Sequence, residues 1–314
     1  MTRYLLRRAG HAVIVLWAAF TLAFAVLFIV PGDPVTLMLG QEQLQSITPA
    51  QLAELRAQYG TDQPFIVQYA TQLWNAVRGD FGYSYRNGVS VTDTLTAAAP
   101  STLTLAISAL LVGILTGVTI AIVASLTRQG WLRGLLLSIP PIGVSVPSFW
   151  VGLVLLQVFS FQLGWFPAFG TAGLPGLVLP TITLALPVAA ITAQVLYKSL
   201  SKTTTEPYAD VLRAKGVGRF RLFFGHAIRN ASLPALTTVG GIVAGLLGGA
   251  VLTETVFSRN GLGRVAAVAV GQKDVPVVMG VVLLAAAIFV VVSFLIDLLY
   301  TVLDPRIRLA GVTR

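Results

Sequence analysis

Six stretches limit what this chain can fold into: about Ala9 to Val30, Ser101 to Leu126, Gly134 to Phe161, Leu177 to Leu200, Leu233 to Leu252 and Val275 to Leu303. Each reaches or exceeds the roughly 20 apolar residues that cross a hydrocarbon core of about 30 Å. Over 314 residues the chain is 55% hydrophobic and only 11% charged, with mean hydropathy +0.82. That is far more apolar material than one soluble core of this size needs. The chain therefore reads as an all-α, polytopic membrane protein with six transmembrane helices. The first stretch is longer than a signal peptide's apolar region, and its one A-x-A, Ala23-Phe24-Ala25, falls inside the apolar run and not after it, so it reads as a retained span and not as a signal peptide.

Orientation follows from the cations, because Lys and Arg near span ends favour the cytoplasmic side. With the N-terminus inside, the cytoplasmic segments hold Arg3, Arg7, Arg8, Arg128, Arg133, Lys198, Lys202, Arg213, Lys215, Arg219, Arg221, Arg229, Arg306, Arg308 and Arg314, which are 15 of the 21 Lys and Arg residues. External segments keep Arg56, Arg78, Arg86, Arg259, Arg264 and Lys273. The acids run the other way: Asp33, Glu42, Glu54, Asp62, Asp80, Asp93 and Asp274 outside, against Glu206, Asp210 and Asp304 inside. Both termini are expected in the cytoplasm. A pI near 10.3 would suit a nucleic-acid binder only if the cations gathered on one soluble face, whereas here they mark span ends. The absence of cysteine removes disulfides, thiolate metal sites and cysteine nucleophiles.

The basic leader Y-L-L-R-R feeds span one, which P-G-D-P at Pro31 to Pro34 should end. The segment that follows, to about Pro100, is too polar to insert. Within it Thr48-Pro49 predicts a cap and first helical position, with Gly60 as the stop. A second helix is expected from Pro64 to Val77, its apolar stripe of Ile66, Tyr69, Ala70, Leu73 and Val77 suited to a membrane surface or to the bundle. Asn87-Gly88 marks a turn. Span two carries the small residues Ser108, Gly113, Thr116, Gly117 and Ala121, which permit close helix contact in lipid. Span three contains Pro140, Pro141 and Pro147, consistent either with a kinked structural helix or with a break that lines a pathway. Ser145, Ser148 and Gln157 in span three, with Thr192 and Gln194 in span four, are candidate pathway-lining residues. Trp165 and Phe166 stand where interfacial aromatics belong. Span five holds Gly240, Gly241, Gly245, Gly248 and Gly249, which suit either close packing or a mobile pore wall. Glu254 and Asp297 lie near span ends, where structural pairing is the expected role, Glu254 with Arg259.

Between spans four and five runs T-E-P-Y-A-D-V-L-R-A-K-G-V-G-R-F-R-L-F-F-G-H-A-I-R-N-A-S-L-P, Thr205 to Pro234. Thr205 can cap a helix, Glu206 favours its positive end and Pro207 suits its first turn. Tyr208, Val211 and Leu212 form one apolar stripe, and Lys215-Gly216 supplies a basic last turn and a stop. About nine residues cannot hold a helix alone, so tertiary or partner contacts must support it. The second half reads as an interfacial helix that ends at Leu233-Pro234. A solvated basic connection obeying the positive-inside rule is the alternative.

A cytoplasmic D-V-L-R-A-K-G followed by L-P before the penultimate span resembles the EAA loop of ABC importer permeases. Asp210, Val211 and Leu212 stand where that motif has Glu-Ala-Ala, and Gly216 matches its glycine. Y-L-L-R-R, P-G-D-P, R-G-D-F-G-Y-S-Y-R, P-S-F-W, E-T-V-F-S-R-N-G-L-G-R and D-L-L-Y-T-V-L-D-P-R-I-R, in this order along the chain, are similar to the DppB/OppB type of permease subunit in dipeptide, oligopeptide and nickel importers. Departures are Asn260, where Pro is usual, and Gln194 and Tyr197, where Arg is often seen.

The resemblance implies a type I ABC importer permease (MetI-like) fold. Its parts would be residues 1–33 as leader and first span, 34–100 as extracytoplasmic cap, 101–303 as permease core with the cytoplasmic loop 201–233, and 304–314 as cytoplasmic tail. It further implies a coupling helix that docks on an ATPase through Pro207, Tyr208, Ala209, Asp210, Val211, Leu212, Ala214, Lys215 and Gly216. Expected partners are a homologous second permease, two ABC ATPase subunits or domains that hold ATP and Mg, and an extracytoplasmic solute-binding protein. The setting would be a bacterial cytoplasmic membrane, with no cofactor on this chain. Cargo would be di- or oligopeptides, with nickel, haem or another small solute as alternatives, carried by alternating access.

Other classes lack their parts. No G-x-x-x-x-G-K-[ST] phosphate loop occurs, so the chain is not a self-sufficient pump. His11 and His226 lie at cytoplasmic edges and no G-x-S-x-G occurs, which leaves an intramembrane hydrolase without a site. An ion-coupled carrier is the harder rival, yet it would show mid-membrane charges or inverted repeats.

Overall fold

The computed structural model describes residues 2–29, 35–36, 39, 47–59, 61–170 and 173–303. The P-G-D-P stop, Gly60 and the tail from 304 onward lie outside the described residues, as does the side chain of Asp297. The helices are α1 (Thr2–Ile29), α2 (Pro49–Tyr59), α3 (Phe65–Val77), α4 (Val91–Leu126), α5 (Gly130–Ser145), α6 (Ser148–Leu155), α7 (Pro175–Thr204), α8 (Pro207–Ala214), α9 (Arg219–Leu222), α10 (Ile228–Val256), α11 (Leu262–Gly271) and α12 (Val275–Leu303). Wider π turns follow α6 at Leu156–Gln162 and α9 at Phe223–Ala227. There is no strand among the described residues. One antiparallel bridge joins Tyr83 to Ser90 across the expected Asn87-Gly88 turn, where Gly88 takes φ +66°.

Among the described residues, four segments are long and apolar enough to cross a bilayer: Arg8–Val26, all of α4, all of α7, and Val275–Leu295. The pair α5–α6 would make a fifth, although it bends by 102°. This bend settles how the span-three prolines act. Pro140 and Pro141 lie inside α5 without ending it, whereas Val146 is extended and Pro147 takes the N-cap position before α6. A residue before proline is driven out of the α region by the ring, so the chain turns there.

Contacts divide the chain into two units, residues 1–100 with 260–291, and residues 101–259 with 292–314. In the first unit, Phe20 and Phe24 of α1 pack on Tyr69, Leu73 and Ala76 of α3 and on Met279 and Leu283 of α12. Thr21 Oγ1 lies 2.8 Å from the Tyr69 hydroxyl. The expected α3 stripe is divided: Tyr69 and Leu73 pack against α1 and α12, while Ile66, Ala70 and Val77 are exposed, as a membrane-surface face would be. The start of α2 carries a reciprocal cap, with the Thr48 N–H donating to Gln51 Oε1 and the Gln51 N–H to Thr48 Oγ1. Asp274, almost fully buried, accepts from the Ser84 hydroxyl and the Tyr85 N–H and so fastens the turn region to the head of α12.

The second unit is built around α7, which packs against α5, α6 and α10. Thr102, Leu105, Ala109, Gly113, Gly117, Ala121 and Ala124 form one buried stripe at helical spacing on α4. Its glycines allow the closest approach: a Cβ at Gly113 would lie 2.6 Å from Val188 Cβ, and one at Gly117 2.6 Å from the Ala189 carbonyl oxygen. Thr116, by contrast, is exposed.

Candidate functional site

Helix α8 is closed at both ends by its own sequence. Thr205 does not cap it: its hydroxyl donates back to the Lys202 carbonyl at 2.8 Å and finishes α7. Glu206 takes the N-cap position with extended backbone, and Pro207 begins the helix, where its missing N–H costs nothing. At the other end Gly216 has φ +80°, its N–H donates to the Arg213 carbonyl, and the Val217 N–H donates to the Leu212 carbonyl. These two bonds make a Schellman stop, which requires the left-handed residue that Gly216 provides.

The face of α8 also differs from the expected stripe. Ala209 is fully buried, Tyr208 and Leu212 are half-buried, and Val211 is 54% exposed. Ala209 is small enough to let the helix backbone approach its support, which turns Val211 outward. Arg213 ties the helix to α7 through the Thr204 carbonyl at 2.9 Å and pairs with Asp210 at 2.7 Å. Downstream, Phe220 and Phe224 are exposed with rings stacked at 6.5 Å. The helical run then continues through the π turn into α10, with Pro234 inside the helix. The expected end at Leu233-Pro234 is thus absent, because Pro234 removes one backbone donor without ending the helix.

A cavity of about 420 Å³ lies between α7 and α10, with Ser148 at its edge. Gly241, Gly245 and Gly249 line it at four-residue spacing. A Cβ at Gly241 or Gly245 would meet nothing within 4 Å, whereas one at Gly249 would lie 2.8 Å from Leu184 Cδ1. Close packing is thus served at Gly249, while Gly241 and Gly245 border open space. The five candidate pathway residues are not brought together. Ser148 lines the cavity. Ser145 is exposed, and its hydroxyl donates to the Pro141 carbonyl. Gln157 and Gln194 are exposed, while Thr192 is buried against Gly117.

Glu254 is fully buried at the end of α10 and accepts a hydrogen bond from Thr102 Oγ1 at 2.6 Å. Arg259, 4% exposed, donates to the Gly176 carbonyl at 2.8 Å. Burial pulls the Arg259 guanidinium below its ordinary pKa, and the Glu254 charge acts in the opposite direction. The expected pairing of Glu254 with Arg259 is present electrostatically. The part played by Thr102, 152 residues from Glu254, is a contact that sequence spacing could not reveal.

These helices and this cavity define a helical, multi-pass membrane protein. The model of the binding-protein-dependent transport system inner membrane component matches residues 113–309, and that of its N-terminal membrane component matches residues 1–106. A Brucella abortus protein named as a peptide transport system permease is 34% identical over 98% of this chain and 99% of its own length. The glutathione transport system permease protein GsiC of Escherichia coli K12 is 35% identical over 98% of this chain and 99% of its own length. Among solved structures, the MetNI methionine ABC transporter in an inward-facing conformation aligns with TM-score 0.54 at 19% identity, over 70% of this chain and 96% of that one. An amino acid ABC transporter aligns with TM-score 0.51 over 68% and 94%. At such identity these two show likeness of fold. The chain belongs to the family of binding-protein-dependent transport system inner membrane components, the permeases of ABC transporters.

Proposed function

We propose that the chain is one of two permease subunits of an ATP-driven importer for di- or oligopeptides or peptide-like cargo, in a bacterial cytoplasmic membrane. It would cross the membrane six times with both termini in the cytoplasm. A homologous permease would complete the translocation pathway, a solute-binding protein would deliver cargo from outside, and two ATPase subunits would hold ATP and Mg and perform the hydrolysis. This chain would itself catalyse no reaction. Relatives named for peptide and glutathione transport that align along nearly the whole chain support the cargo class.

The observation that carries the proposal is α8: a short helix, stopped at both ends, held by Ala209 and presenting Val211 outward. A side chain of that kind becomes energetically useful when a partner groove covers it. We assign the docking surface to Pro207, Tyr208, Ala209, Asp210, Val211, Leu212, Ala214, Lys215 and Gly216, with Ala209 as support. We place part of the pathway at Ser148, Gly241 and Gly245. Ser145, Gln157 and Gln194 stand on exposed faces that the second permease would close over, while Thr192 belongs to helix packing. Co-purification of the tagged chain with its genomic neighbours, followed by reconstitution with binding protein and labelled dipeptides, tests the proposal. Uptake should require ATP and every subunit. Uptake by the chain alone, driven by an ion gradient, would refute it.

A further inference from the structure

A second cavity, of about 430 Å³, opens beneath α4 and α7 and is lined by Arg133, Arg213 and Arg219. The three come from different segments: α5, α8 and the start of α9. The hydroxyls of Tyr197 and Ser201 line the same space, Leu200, Leu222 and Phe223 supply apolar walls, and no carboxylate is among the lining residues. Asp210, the acid paired with Arg213, does not line it.

Each guanidinium has a backbone anchor. Arg133 Nη2 donates to the Thr127 carbonyl at 2.8 Å, Arg213 Nη2 to the Thr204 carbonyl at 2.9 Å, and Arg219 Nη2 to the Leu126 carbonyl at 3.1 Å. Those carbonyls belong to the C-terminal ends of α4 and α7, where cations are favoured. Helix capping accounts for a cation at each position. It does not account for three of them around one hollow whose lining holds no carboxylate, Asp210 pairing with Arg213 from outside it, and it engages only part of each five-donor fork. The anchoring also holds the forks in place before any ligand arrives, so little side-chain freedom remains to be lost on binding. The cavity volume falls in the range of small-molecule sites, about 300–1,000 Å³.

We infer that this cavity binds a phosphate-bearing anion, and that its occupant is the headgroup of an anionic phospholipid. Arginine forks match phosphate oxygens in geometry and charge. The lipid source follows from the apolar wall beside the cations and from Trp131, two residues before Arg133 and 71% exposed, an aromatic of the kind found at headgroup level. Through Arg213 in the last turn of α8 and Arg219 just beyond its stop, an occupant would touch the C-terminal end of α8, and so would bear on how firmly that helix is held.

The test is native mass spectrometry of the full-length protein, delipidated in detergent and titrated with phosphatidylglycerol, phosphatidylcholine or inorganic phosphate. Two double variants carry the comparison. Arg133→Gln/Arg219→Gln strips the cavity, and Arg128→Gln/Arg221→Gln removes the same charge from neighbouring positions that do not line it. Arg213 is left intact because it holds α8. Wild type should retain phosphatidylglycerol over phosphatidylcholine, the cavity variant should lose that retention about tenfold, and the control variant should keep it. Displacement of the lipid by millimolar inorganic phosphate would assign the site to free phosphate instead of a headgroup. Equal loss in both variants, or full retention in the cavity variant, would overturn the inference, and matching melting curves for the two variants would exclude misfolding as the cause.

Discussion

Single residues in this molecule are sorted by what lies within a methyl group's reach. On α10, Gly245 faces open cavity while Gly249, one turn on, touches Leu184. Gly245→Ala should leave stability unchanged or raise it by about 0.5–1 kcal/mol, since alanine suits a helix better than glycine. Gly245→Leu should fold and assemble yet reduce uptake, by filling the cavity. Gly249→Val should lower stability by about 1–3 kcal/mol through overpacking. Thermal unfolding of the solubilised protein, run beside the uptake assay, separates these outcomes. A Gly245→Leu protein with full uptake would remove the cavity from the pathway.

Glu254 is the other decisive residue. Glu254→Leu would leave the Arg259 cation buried without its counter-charge, a change expected to cost about 3–5 kcal/mol. Glu254→Gln keeps an acceptor for Thr102 and should fall between Leu and wild type. Replacing both partners, Glu254→Leu with Arg259→Met, should recover much of the loss, because two apolar side chains need no charge compensation. Melting temperatures of the three variants measure this, and a double variant no better than Glu254→Leu would show that Arg259 is not the group that depends on the carboxylate.

At the scale of elements, α8 is where local sequence and tertiary contact divide the work. Gly216→Ala would force a side chain into φ +80°, and Gly216→Pro would also remove the N–H that bonds Arg213. Both should loosen the helix end, proline more. Val211→Asp leaves the support intact and alters only the outward side chain. Burying a valine in a partner groove is worth about 1.5–3 kcal/mol, so ATPase association should weaken roughly tenfold or more while the permease stays in the membrane. Leu212→Asp should instead disturb the local fold, since Leu212 is half-buried. Pull-down of the ATPase by each variant decides between them, and unchanged association in Val211→Asp would return α8 to a simple connection.

The limits of α8 were legible in sequence because Pro207 and Gly216 act through their own backbones. Its orientation was not: Tyr208, Val211 and Leu212 all qualify as an apolar face, and which of them turns outward depends on Ala209 meeting its support. The same holds for α3, where helix and apolar residues were readable but which of them pack in the bundle depended on Phe20 and Phe24. The 102° bend was foreshadowed by three prolines, yet only Pro147 makes it, because Val146 is free to extend where the residues flanking Pro140 remain helical. The Thr102–Glu254 bond and the three-arginine cavity join segments far apart in the chain, and no local pattern encodes them.

For the molecule as a whole, the absence of cysteine makes the number of crossings and their direction measurable with single introduced thiols. Arg128, Lys215, Asn87, Gln162 and Gln272 are all exposed, so Cys at each can be reached by a membrane-impermeant maleimide from whichever side it faces. The cation distribution puts Arg128 and Lys215 inside and the other three outside. In intact cells Asn87→Cys, Gln162→Cys and Gln272→Cys should label, and Arg128→Cys and Lys215→Cys should label only after the membrane is opened. Two pairs carry the count. Arg128 and Gln162 flank the bent α5–α6 pair, so labelling from opposite sides makes it a true span, while labelling from the same side makes it a re-entrant loop. Lys215 and Gln272 flank α10 with α11, and opposite sides there establish the crossing expected of the stretch Leu233 to Leu252. Six crossings require both pairs to split. If Arg128 and Gln162 were to label together, α7 would begin on the wrong face and α8 would lie outside, away from any ATPase, so this one measurement bears on the docking assignment as directly as on the topology.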